Sequence, residues 1–241
     1  LIRALVVTGF IFAFVLWFSL LALREVRSEQ RFDFVHWELT TVANKWLYVV
    51  GKPLRDDPSS EEALAAYFSI EDRESGQGRY LENVVESVIE SRIHAVIREQ
   101  RLSMPLLFSR SYTVWPPVDL ELSGAPFVLV LSPRAEVRLL ESRPLRLGLD
   151  YERLFELEDE AEARDSSLSA LVVPTSGIAT YPSIINNLGS YRSTIATGAH
   201  EWVHHYLAFY PLGRSFFSSG DARTINETVA DIVGDELSDM V

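Results

Sequence analysis

The feature that most constrains this chain is the run His200-Glu201-Trp202-Val203-His204, an H-E-x-x-H pattern. Histidines four residues apart on an α-helix project from one face, one turn apart. That spacing lets both imidazoles reach a single tetrahedral Zn²⁺. Glu201 follows the first histidine directly, so it stands beside such an ion rather than on it, where a carboxylate can take a proton from metal-bound water. Ile195, Ala199, Trp202, Val203 and Leu207 supply apolar surface to bury the helix, and Leu188-Gly189-Ser190 precedes it. A chance match occurs in roughly one chain in a hundred of this composition. The bland alternative is a helix with a surface histidine pair and an incidental glutamate.

Composition narrows the ligand types. The 241 residues include no cysteine, which excludes disulfide frameworks, Cys-ligated zinc, iron–sulfur sites and thiol catalysis. Any metal site must use histidine and carboxylate. The chain carries 22 Lys+Arg against 34 Asp+Glu, a formal charge of −12. That balance argues against nucleic acid as a partner, since a binder would need a basic face. The length suffices for a hydrophobic core without staples.

The acidic excess lies wholly beyond residue 23. Ala4 to Leu23 is an uncharged run of Leu, Val, Phe and Ala, bracketed by Arg3 and Arg24, with Trp17 near one end. A helix of that length covers the hydrocarbon core of a bilayer, roughly 30 Å. The expectation is a retained, single-pass transmembrane anchor over residues 1–23, in contact with lipid through residues 4–23. A buried core helix and a cleavable signal peptide fit less well, for want of charge on any face and of a small-x-small cleavage site near Ala22. Arg24, Arg27 and Arg31 follow the run, which by the positive-inside count points the rest of the chain to the cytoplasm. The chain starts without Met, so that count is incomplete. A lone N-terminal span often acts as a signal anchor, and the expectation leans to the non-cytoplasmic side.

Residues 24–102 read as a helical region. Phe32, Val35, Leu39, Val42 and Trp46 recur at helical spacing up to Gly51. Ser59 and Glu62 form a capping box that opens a short helix through Phe68. Val84, Val85, Val88, Ile89, Ile93, Val96 and Ile97 share one stripe of a helix from Tyr80 to Leu102. His36 and His94 lack a ligand pattern and read as packed or interfacial. Phe127–Leu131 and Val137–Leu140 look like strands joined by a Ser132-Pro133 turn, and Leu168–Val173 like a third. Tyr151 to Arg164 reads as a helix whose acidic run, Glu156 to Glu162, is a solvated face. With the span, these elements predict an α+β chain whose residues 103–241 carry the H-E-x-x-H helix on a small sheet.

Downstream of the motif, residues 224–231 read Thr-Ile-Asn-Glu-Thr-Val-Ala-Asp. An H-E-x-x-H followed by N-E-x-x-x-D on a second helix resembles the gluzincin metalloproteases, the thermolysin-like zincins. The resemblance covers about residues 168–235. It implies a zincin-like catalytic domain in which Zn²⁺ is held by His200, His204 and Glu227, and in which Asp231 hydrogen-bonds a ligand histidine. Glu227 and Asp231 are four apart and share one helix face, and an Asp behind a ligand histidine fixes its tautomer and raises its basicity. Taken alone, Thr224-x-x-Glu227 also fits a capping box. Asn226-Glu227-Thr228 is a glycosylation sequon, a poor one on a buried helix. His205 points about 100° away from His204 and is not expected to be a ligand.

Zincins hold an extended substrate along an edge strand above the active helix. The resemblance implies such a strand upstream, and Gly177 to Tyr181 is the local candidate, with Ile178, Ala179, Thr180 and Tyr181 as substrate-binding residues; an ordinary loop fits the pattern equally. The family also supplies a His or Tyr for the oxyanion; the nearby tyrosines after the motif are Tyr206 and Tyr210, and Tyr206 does not obviously face the metal. Two functions follow. The first is a membrane-anchored zinc peptidase acting on a peptide or protein, with Glu201 assisting attack of zinc-bound water. The second is a catalytically silent zincin-like scaffold, an accessory subunit with partners in a membrane protein complex.

Overall fold

The computed structural model describes residues 30–51, 59–102 and 114–241. Its helices are α1 (Phe34–Gly51), α2 (Ser60–Ser69), α3 (Gly76–Glu99), α4 (Tyr151–Arg164), α5 (Tyr191–Leu207), the single turn α6 (Pro211–Arg214) and α7 (Gly220–Asp239). Its strands are β1 (Leu120–Ser123), β2 (Phe127–Pro133), β3 (Glu141–Pro144), β4 (Leu168–Pro174), β5 (Gly177–Ile178) and β6 (Ser183–Asn186). The chain is α+β, but the expected transmembrane helix is not part of the observed fold. No helix among the described residues is long and apolar enough to cross a membrane. Even α3, at 24 residues, carries Arg79, Glu82, Glu86, Glu90 and Arg92 along its length. The single-pass fold and localisation expected from residues 4–23 are therefore not borne out among the described residues; residues 4–23 themselves lie outside them.

The residues group into two compact units. In the first, described residues up to 46 join Pro126–Thr175. Its sheet runs β3-β2-β4, all antiparallel, with β2 central. Leu154 and Leu157 of α4 bury against Leu129, Leu131, Leu145 and Ala170. The acidic run of α4 is more than the solvated face expected. Glu158 accepts from the Val172 amide at 2.5 Å and Glu162 from the Ala170 amide at 3.0 Å, closing the open edge of β4, which would otherwise invite pairing with another chain. The strand expected at Val137–Leu140 lies instead at Glu141–Pro144. Val137 is fully exposed, and Leu140 donates to Leu131 as the chain turns back.

The second unit joins described residues from 59 to Ala125 with Ser176–Val241 and contains both parts of the double motif. Its sheet is β1-β6-β5, with β1 parallel to β6 and β5 antiparallel at the edge. The strands β1 and β6 escaped the sequence reading. Each is only four residues long, and β6 is buried at three consecutive positions, so no alternation marks it. The expected stripe of α3 is real. Val85, Ile89, Ile93 and Ile97 pack with Leu120 and Leu122 of β1, Ile185 of β6 and Ile195, Ala199, Trp202 and Val203 of α5. Glu86 and Glu90 of α3 accept from the Leu122 and Leu120 amides at 2.7 and 2.8 Å, the same edge closure used on β4. At the short α2, Ser59 gives no backbone cap; its hydroxyl donates to the Glu62 carboxylate instead. His36 is exposed and His94 half-buried.

Buried Arg73 anchors the start of α5. Its guanidinium donates to the carbonyls of Asn187 and Gly189, just before α5, and to those of Tyr67 and Phe68 at the end of α2. It also stacks on the Tyr67 and Phe68 rings. Ser190 then caps α5 by accepting from the Ser193 amide. We predict that Arg73→Met destabilises the protein by about 3 kcal/mol, because it strands several buried carbonyls without a donor. A urea midpoint unchanged from wild type would refute the anchoring role.

Candidate metal centre

Helix α5 places His200 and His204 on one face, their rings edge to face at 4.7 Å between centroids. Helix α7 brings Glu227 against both. Its Oε2 lies 3.4 Å from His200 Nε2 and 3.3 Å from His204 Nε2, and the two Nε2 atoms are 3.0 Å apart. The opposite ring nitrogens are occupied. His200 Nδ1 is 2.9 Å from Asp231 Oδ1, and His204 Nδ1 is 2.8 Å from Asn226 Oδ1. The Asn226 amide donates from Nδ2 to the Leu212 carbonyl at 3.4 Å, which sets its oxygen toward the histidine. A carboxylate and an amide oxygen only accept, so each neutral imidazole carries its proton on Nδ1. Each Nε2 then presents a lone pair.

With both imidazoles in that tautomer, three acceptors converge, and either a proton on one Nε2 or a single bound cation satisfies them. Donor atoms held 2.0–2.1 Å from a tetrahedral Zn²⁺ stand about 3.3–3.4 Å apart, close to the observed triangle. The oriented Nδ1–H groups complete the pattern found behind metal-binding histidines. The residues therefore fit the ion that the sequence led us to expect.

Glu201 also lies within 4.8 Å of both histidine nitrogens, and could itself be counted in a metal-binding trio. Two observations favour Glu227 as the third ligand. Only Glu227 touches both Nε2 atoms. The charges also differ: for Glu227, burial works upward, but hydrogen bonds to His200 and His204 outweigh it and hold the carboxyl down to about 2. For Glu201, burial pushes the carboxyl up to about 8, with the His204 charge opposing and Glu227 and Asp231 adding to the rise. Burial thus favours the neutral form of Glu201, whereas the imidazoles favour the charged form of Glu227. The capping alternative for Glu227 falls away, because α7 starts at Gly220 with Ser219 as its cap, and Thr224 bonds back to the Gly220 carbonyl. Asn226 is 1% exposed, which removes it as a glycosylation acceptor.

Glycines set how closely the parts approach. A Cβ on Gly234 would stand 3.0 Å from the Ala196 carbonyl oxygen and 3.1 Å from the His200 backbone nitrogen. Its absence lets α7 lie against α5 at the level of the first ligand. A Cβ on Gly177 would stand 2.6 Å from Glu201 Oε1 and 2.7 Å from Thr197 Cγ2. The edge strand therefore crosses directly beside Glu201. Of the expected substrate stretch, only Gly177 and Ile178 are strand. Ile178 and Ala179 are half-buried, whereas Thr180 and Tyr181 turn inward. Thr180 donates to the Pro182 carbonyl and Tyr181 to that of Pro117, so the strand expected to run to Tyr181 ends early.

Sequence reasoning missed two contributors. Asn226 could have been inferred, since a second ligand histidine needs its own acceptor at Nδ1. Phe216, whose ring meets His204 edge-on at 5.9 Å, could not. His205 is indeed no ligand. It is buried on the opposite side, edge to face with Tyr181 at 5.6 Å. Burial lowers its pKa to about 4, against hydrogen bonds to the backbone of Ala179 and Thr180. It ties the end of the edge strand to the metal-bearing helix. Tyr206 stacks on Trp202 and bonds Tyr210.

No protein-family model, curated protein or solved structure matches the chain. The resemblance to gluzincins rests on the motif residues themselves.

Two outcomes follow from this geometry. Asp231→Ala should weaken zinc affinity 10- to 100-fold, as loss of a partner behind a ligand histidine does; competition against a chromogenic chelator measures it, and unchanged affinity would make the contact incidental. His205 gives a pH dependence. Its folded pKa lies below its unfolded value of about 6.5, so the stability it contributes is intact above pH 6.5 and falls as pH drops toward 4, by on the order of 3 kcal/mol. His205→Gln should lack that component of acid destabilisation in urea titrations from pH 7 to 4; equal slopes for both proteins would show that it does not titrate this way.

Proposed function

We propose that the protein is a zinc-dependent peptidase, and the observation that carries the reading is the convergence of His200 Nε2, His204 Nε2 and a Glu227 oxygen at zinc-ligand spacing with the buried Glu201 carboxyl beside them. His200, His204 and Glu227 would hold the ion. When bound, Zn²⁺ supplies Lewis acidity, which acidifies water and polarises a carbonyl. Glu201 accepts the proton of the attacking water as its oxygen joins the carbonyl carbon. It then delivers that proton to the amine nitrogen as the C–N bond breaks. Asp231 and Asn226 hold the two imidazoles in the tautomer that leaves Nε2 free. The Gly177–Ile178 edge beside Glu201 offers backbone groups to an extended chain, which is what favours a peptide over other hydrolysable substrates.

A catalytically silent scaffold is the second reading. It draws on the covering of Glu201, only 5% exposed beneath Gly177, since a base must meet water. Zinc analysis paired with cleavage of a peptide library decides between them. Wild type and Glu201→Gln should each bind about one zinc, with turnover lowered by roughly 10²- to 10⁴-fold in the variant. Zinc-loaded wild type without turnover would leave the scaffold, and no zinc binding under metal-replete conditions would sink both readings. Glu227→Ala should lower metal affinity; if it does not, the third ligand is another group.

A further inference from the structure

The first turn of α7 carries a cation that the candidate metal centre does not use. Arg223 lies one helical turn before Glu227 on α7, so the two side chains rise from the same face. Its guanidinium carbon sits 5.5 Å from the centre of the Phe216 ring, and that ring meets the His204 imidazole at 5.9 Å. The guanidinium therefore lies near the candidate ligand set, over an aromatic ring that itself contacts His204. Its Nε is buried and has no hydrogen-bond partner. Several arginines among the described residues are matched to carboxylates: Arg92 with Glu61, Arg134 with Glu162, Arg153 with Glu156 and Glu160, and Arg192 with Asp239. Arg223 is half-buried beside the candidate metal centre and no such ion pair is found for it among the described residues, although the chain has 34 acidic residues against 22 basic ones.

We infer that Arg223, backed by Phe216, receives a carboxylate of the substrate. The chemistry is the planar fork of a guanidinium, which matches a carboxylate with two parallel donors and which stacking on an aromatic ring pre-orients. The two ring spacings put the guanidinium no more than about 11 Å from the His204 imidazole, which an extended chain covers in about three residues at 3.4 Å each. The substrate class is thus a peptide with a carboxylate within about three residues of the bond cleaved, supplied either by its C-terminus or by an Asp or Glu side chain. The inference rests on the peptidase reading for its substrate, yet it concerns a binding step that can be read without turnover.

The test uses the full chain carrying Glu201→Gln, loaded with zinc, so that peptides bind without being cut. Fluorescence anisotropy compares four versions of a short labelled peptide: neutral with an amidated end, neutral with a free C-terminal carboxylate, amidated with one glutamate, and amidated with one glutamine. We expect one of the carboxylate peptides to bind at least tenfold more tightly than its neutral counterpart; which one does so identifies the source of the carboxylate. In the Arg223→Met background the preference should vanish while zinc content stays at one per chain and the neutral peptides bind as before. Arg223→Lys, which keeps the charge but not the fork, should retain part of it and covers the case in which the methionine variant fails to fold. Equal binding of all four peptides, or a preference that survives Arg223→Met, would overturn the assignment. So would loss of zinc in both Arg223 variants, which would make the residue a brace for His204. Failure of the peptidase reading looks different: wild type would cut no peptide, while the Arg223-dependent carboxylate preference persisted.

Discussion

Everything at the metal centre depends on how closely α7 can lie against α5. Two helices with ordinary side chains at their contact stand 8–10 Å apart. Gly234 lets the backbone of one meet the backbone of the other beside His200, where a methyl group would find only about 3 Å to the nearest atoms. At that separation the reach of an Asp or Asn side chain suffices for Nδ1, and that of Glu227 for Nε2. The same helix thus supplies the third ligand and both tautomer-setting acceptors, from three positions within two turns. Separate the helices and all three contacts lengthen together, because one rigid element carries them.

A second theme is the use of carboxylates to finish the sheets. Glu86 and Glu90 close the free edge of β1, and Glu158 and Glu162 that of β4. Short strands gain little from ladder hydrogen bonds alone, and exposed amides on an edge invite pairing with other chains. Acidic side chains projecting from a covering helix satisfy those amides and keep the edge charged. The edge of β5 beside Glu201 differs: Gly177 brings backbone, not a side chain, up to the Glu201 carboxyl. Part of the negative charge that composition reports is therefore internal scaffolding.

Legibility in the sequence followed the range of the interaction. The stripe of α3 and the whole of α4 could be read because 3.6-residue periodicity is local and repeats over many turns. The motif histidines could be read because ligand spacing on one helix is a local property. Glu227 and Asp231 were reachable through their own i, i+4 relation together with the resemblance. The four-residue strands β1 and β6 escaped because so short a run holds too little pattern, and the strand placed at Val137–Leu140 was misplaced because apolar residues in a turn mimic one. The apolar run at residues 4–23 suggested a membrane span on hydropathy alone, and no described helix has that character.

What the sequence determined by itself was a list of donors. Lack of cysteine confined metal binding to nitrogen and oxygen, and H-E-x-x-H put two imidazoles on one face. Tertiary structure brought Glu227, rather than Glu201, into contact with both. Glu201 and Glu227 are chemically alike and both near the histidines, yet burial drives one up to about 8 while contact with the imidazoles draws the other down to about 2. Only packing can make that distinction, because desolvation and through-space charge depend on what surrounds a group and not on its neighbours in the chain. The same holds for Asn226, Phe216 and Arg223: they lie 22, 12 and 19 residues beyond His204, and nothing in that spacing brings them near it. The return of α7 along α5 does.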